Sequence, residues 1–142
     1  MDFLDKRVGV ICNELKKLKV KQVFPLTQWE YKEGNFIHPE DALKDEAAWE
    51  NFDCKTMHWY GKDRHYWFRT TYTVPEELDG KSIWIRVSSQ IDEWDDGRNP
   101  QFIVFVNGEV YQGIDMNHRE CLITRSGKAG ETLTIELRAY SA

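Results

Sequence analysis

The chain has 142 residues, the size of one domain with one hydrophobic core, and its 13% aromatic content, with six Trp, excludes a disordered segment. No apolar run approaches the roughly 20 residues that span a bilayer, so no membrane-spanning helix and no membrane partner are expected. The net charge of −5 is uneven: six basic residues stand against three acidic through Gln28, or +3, leaving −8 for an acidic body that argues against nucleic acid as a partner.

Leu4, Val8, Ile11, Leu15 and Leu18 recur at spacings of four and three, which places them on one stripe of an amphipathic helix covering residues 1–22. Asp2 and Asp5 at its start and Lys16, Lys17 and Lys19 at its end complement the helix dipole. The stripe lasts about two and a half heptads, short of the three or four a coiled-coil seam needs. Docking on its own domain or on a neighbouring one is therefore expected. Val23, Phe24 and Pro25 end this segment, and residues 29–38 are aromatic without a clear period. Pro39 is expected to open a second short helix over 39–49, because proline suits a first helical turn.

From Arg64 the period changes to two. Tyr66, Phe68, Thr70, Tyr72 and Val74 alternate with His65, Trp67, Arg69, Thr71 and Thr73, which predicts a strand. A turn over 75–81 leads to a second strand with Ile83, Ile85, Val87, Ser89 and Ile91 inward. After a polar loop over 92–100, residues 101–106 are apolar on both faces, as in a central or covered strand. Asn107-Gly108 between apolar runs predicts a two-residue hairpin, since both positions of its turn need positive φ. A short strand over 120–124, a turn over 126–130 and a last strand with Leu133, Ile135, Leu137 and Ala139 inward complete the chain. The whole predicts a mainly β fold, an antiparallel β-sandwich or jelly roll over 23–142 with an N-terminal amphipathic α-helix.

Three stretches together carry a resemblance. They are Tyr66-Trp67-Phe68-Arg69 leading to Val74-Pro75 and Gly80-Lys81; Asn99-Pro100-Gln101-Phe102 through Asn107-Gly108 to Gln112-Gly113; and Asp115 with Asn117-His118-Arg119-Glu120 through Gly130-Glu131 to Ala139-Tyr140. In order and spacing this resembles the β-sandwich domain that precedes the catalytic barrel in glycoside hydrolase family 38 α-mannosidases, and more broadly the galactose-binding-like jelly rolls attached to β-galactosidases. The likeness implies a retaining, zinc-dependent α-mannosidase as the parent, with the metal ligands and the nucleophile in a catalytic barrel absent from these residues. On that reading residues 23–142 are an ancillary domain, with no catalytic residue, metal ligand or cofactor of its own. Its expected partners are the catalytic domain of the same polypeptide, where zinc is expected, and mannose-containing carbohydrate. An independent carbohydrate-binding module is the alternative, and a small self-sufficient hydrolase the third.

A glycosidase needs two carboxyl groups about 5 Å apart for retention or about 6.5 to 9.5 Å for inversion. Asp115 and Glu120 are the obvious pair, beside Asn117, His118 and Arg119. Such residues more often cap backbone groups, so the expectation is a structural, interdomain or substrate-entrance loop. The acidic run 92–97 lacks the ligand spacing of an EF-hand, with Trp94 and Ile103 at its third and twelfth positions, though a different calcium site stays open. His38, His58 and His65 form no zinc-like pair. Trp67, Trp84 and Trp94 are the candidate carbohydrate or interface aromatics, with covering by the N-terminal helix or by the catalytic barrel favoured for Trp67 and Trp84. Cys12, Cys54 and Cys121 are odd in number and far apart, so no disulfide framework is expected. With no secretory signal pattern at Met1-Asp2-Phe3-Leu4, a cytoplasmic location is expected.

Overall fold

A computed structural model describes residues 3–19, 22–89 and 99–141. Helix α1 covers Phe3–Lys19 and helix α2 Pro39–Lys44. The strands are β1 (Gln28–Glu33), β2 (Glu50–Asp53), β3 (Arg64–Thr73), β4 (Ile83–Arg86), β5 (Gln101–Val106), β6 (Glu109–Ile114), β7 (Glu120–Thr124) and β8 (Thr132–Ser141). They form a six-stranded sheet in the order β2-β1-β3-β8-β5-β6 and a two-stranded sheet, β4-β7. Each of these pairings is antiparallel, as the alternating strands predict.

The central pair β3 and β8 stays in register from Arg64↔Ser141 to Thr73↔Thr132, and the inward row obeys the sequence period. Tyr66, Phe68, Leu133, Ile135, Leu137 and Ala139 face one core with Phe102 and Val104 of β5 and with Ile85, Cys121 and Ile123 of the small sheet. That shared core makes the two sheets a sandwich of unequal layers. Strand β5 lies between β8 and β6, as its two apolar faces predict. At the β5–β6 hairpin, Asn107 (φ 51°) and Gly108 (φ 84°) both adopt the left-handed conformation that their turn requires.

Two strands lie where no period was legible. In β1, Trp29 and Tyr31 point into the sandwich, but outward-facing Lys32 is also buried, so the alternation is masked. In β2, Glu-Asn-Phe-Asp offers Phe52 as its one core residue. The second helix starts at Pro39 as expected but ends at Lys44, not at residue 49. There Asp45 turns to an extended conformation while its N–H still bonds the Asp41 carbonyl.

Helix α2 and its flanking residues cover the outer face of the large sheet. Ala42, Trp67 and Phe105 are buried together, with Phe36, Trp49 and Ile103 packed around them. Lys32 pairs with Asp45 at 3.0 Å, with its Nζ 5.4 Å from the Phe36 ring centre and 5.0 Å from that of Trp49. The guanidinium of Arg69 lies 4.1 Å from the Trp49 ring centre while its Nε donates to Glu30 at 2.7 Å. These contacts hold the covering segment down where it crosses the sheet.

Helix α1 forms as its stripe predicts, but it does not dock on the sandwich. Leu4, Val8, Ile11, Leu15 and Leu18 are all between 51% and 69% exposed. Its C-terminal end is tethered by an ion pair, Lys19 to Glu120 at 2.6 Å. No described helix is long and apolar enough to cross a membrane.

Candidate functional site

The structure separates the candidate tryptophans. Trp67 lies on the outward row of β3 yet is 0% exposed, roofed by residues 36–49 and by Phe105. It is therefore covered, but by its own domain and neither by α1 nor by a missing barrel, and it offers no face to a sugar. Trp84 on β4 remains 56% exposed. Trp94 lies outside the described residues, as does the acidic run 92–97 considered for calcium.

The loop from Asp115 to Glu120 connects β6 to β7. Asp115 Oδ1 accepts the backbone N–H of Asn117 at 2.8 Å and that of His118 at 2.7 Å, and lies 3.1 Å from His118 Nδ1. This is the backbone-capping turn that Asp side chains favour. The His118 backbone donor holds the Asp115 carboxyl below its ordinary range against a partial opposing desolvation, with further lowering from Asn117 and the His118 ring. A general acid needs the reverse shift. Glu120 is engaged by Lys19, and Arg119 Nε donates to the Met116 carbonyl at 3.0 Å, which stitches the loop to itself. Beneath the loop, buried Asn99 accepts from Ser89 Oγ at 3.1 Å and approaches Met116 Sδ at 3.9 Å. The candidate residues are thus together, in an arrangement that builds a turn. Among the described residues, no three His, Cys, Asp or Glu side chains gather as a metal site.

Beside the loop lies an open depression that no sequence pattern singled out, with Asp115 in its wall. Strand register explains it: His65, Tyr140 and Gln101 form one cross-strand row, and Trp67, Arg138, Ile103 and Gly113 the next. Both rows face outward, and all their members but the roofed Trp67 line the depression. The signal in the sequence was Gly113, a glycine in a strand, where a missing side chain opens the surface.

Comparison with known proteins supports the fold. No protein-family model matches the chain, and no curated protein sequence matches it. Solved structures do. A β-glucuronidase from Ruminococcus gnavus in complex with D-glucuronic acid superimposes with a TM-score of 0.52 at 13% identity, over 86% of this chain and 23% of that one. The same enzyme in complex with an N1-substituted uronic isofagomine gives 0.51 at 14% identity, over 86% and 24%. The chain therefore spans less than a quarter of these structures, and what it shares with them is a mainly β, antiparallel fold.

Proposed function

We propose that the chain is a non-catalytic ancillary domain of a glycoside hydrolase, packed against a catalytic domain of the same polypeptide. The observation that carries this reading is α1: a 17-residue helix with its whole apolar stripe in water, on a body whose own core is closed without it. A contiguous apolar stripe of this kind marks an interface. At about two and a half heptads it is too short to be a self-sufficient coiled coil, so the surface of a folded neighbour is its natural cover. Exposed Trp84 adds a second apolar surface for the same purpose.

The finer reading, a zinc-dependent family 38 α-mannosidase acting on terminal α-mannosides, rests on the sequence resemblance over residues 66–81, 99–113 and 115–140. In that reading the Asp115–Glu120 loop faces the catalytic domain near the substrate entrance, and the zinc belongs to the other domain. The purified chain is then expected to release no nitrophenol from aryl mannosides, with or without added zinc. Release that Asp115→Asn abolishes would make the chain a hydrolase in its own right and overturn the proposal. Extending the native reading frame past Ala142 tests the finer reading. A continuation of several hundred residues with clustered Asp and His supports it, and a stop codon there contradicts it.

A further inference from the structure

We propose that residues 36–49 form a strap that lifts off the outer face of the large sheet as one unit while the sandwich stays folded, with Lys32 and Asp45 as its latch. Attachment is the first reason. Both feet of the segment are tied by the backbone: Gly34 N–H donates to the His65 carbonyl at 2.9 Å, and Glu50 opens β2 opposite Tyr31. Between these feet the strap's backbone bonds close on the strap itself, with Asp41 and Ala42 donating to the His38 carbonyl at 3.2 and 3.4 Å and Asp45 to that of Asp41 at 3.2 Å. The contacts that seat it on the sheet are made by side chains. Helix α2 has six residues and no side-chain hydrogen bond at its His38 cap, far short of a helix that holds by itself.

The face beneath the strap supplies the second reason. The core between the two sheets is built without any residue of the strap, whose Phe36, Ala42 and Trp49 belong to the separate cluster around Trp67 and Phe105. Lifting the strap therefore leaves the sandwich core closed. What it covers is polar as well as apolar. Lys32 is 4% exposed, and its ammonium meets the strap four times: the Asp45 carboxylate at 3.0 Å, the Asp45 carbonyl at 3.3 Å, and the rings of Phe36 and Trp49. Trp67 is fully buried, yet its Nε1–H has no hydrogen-bond partner among the described residues. A buried donor left unpaired is costly and rare. Opening returns that donor and the Lys32 ammonium to water, which offsets part of the apolar contact that is lost.

Local opening follows contiguous segments that have their own small cluster and few backbone ties to the rest, and the strap meets both conditions. Its lifting uncovers Lys32 and Trp67, cross-strand neighbours on β1 and β3, a cation and an aromatic side by side that the closed state hides. The strap thus decides whether this face is presented to solvent. The inference rests on contacts within this chain and requires neither a catalytic domain nor α1.

Native-state hydrogen exchange of the full chain, followed by NMR, tests it. The Trp67 Nε1–H is expected to show a protection factor at least about tenfold below that of the slowest β3 and β8 amides, because it exchanges through the strap's opening and they exchange through global unfolding. Asp45→Asn, which leaves the Lys32 ammonium buried without its counter-charge, is expected to lower the Trp67 Nε1–H protection about tenfold further and to leave those amides unchanged. Trp67 protection equal to that of the β3 and β8 amides, and falling in step with theirs as urea is added, would overturn the proposal, since the strap would then leave only with the whole fold. An Asp45→Asn variant that keeps the Trp67 protection, or that lowers the sheet amides equally, would overturn the latch.

Discussion

Trp67 and Trp84 occupy equivalent outward positions on their strands, and nothing in their local sequence distinguishes them. The difference is tertiary: residues 36–49 fold over Trp67 and leave Trp84 in water. Trp67→Ala is therefore expected to cost about 3 to 5 kcal/mol, as for other buried aromatics, and Trp84→Ala to stay within about 0.5 kcal/mol in this chain alone. Urea denaturation of the two variants measures the difference, and equal costs would contradict the packing described. Asp115 was legible as a residue but ambiguous in role, and in the structure its Oδ1 caps the turn. Its folded pKa lies below the ordinary 3.8, so the stability it adds is present above the unfolded pKa and is lost as pH falls through the lower folded value. The backbone donor of His118 is the largest cause and needs no imidazole, so in His118→Ala most of the depression should persist. A carboxyl titration by NMR that returns to the ordinary value in that variant would contradict this ordering.

At the scale of elements, the strands with clean two-residue alternation, β3 and β8, were legible, as was β5 from its two apolar faces. So was the Asn107-Gly108 hairpin, because its turn admits few residues. Strands β1 and β2 were not. Lys32 is buried on the face that should be polar, because Asp45, Phe36 and Trp49 satisfy its charge and cover its stem. Phe52 alone cannot set a period. The outward rows of β3, β8, β5 and β6 were each visible, but their meeting around Gly113 depends on strand order and register, which local patterns do not contain. Helix α1 was legible in position but not in the exposure of its apolar stripe. Removing residues 1–22 is accordingly expected to leave the unfolding midpoint of the isolated sandwich nearly unchanged. A large loss of stability would mean that the stripe docks on this domain after all.

The described residues form a six-on-two sandwich carrying an open helix, and this imbalance is the most informative property of the chain. On the proposed reading, the apolar stripe that the sandwich leaves exposed is the surface that meets a catalytic neighbour. The fold it shares with a β-glucuronidase structure extends over less than a quarter of that chain. The most direct test is the size of the polypeptide that carries this domain in its native cells, read by immunoblot with an antibody raised against the sandwich. A band several times larger than 142 residues, one that cleaves terminal glycosides when immunopurified, is predicted. A band at the size of this chain alone, with no glycosidase activity accompanying it, would contradict the account.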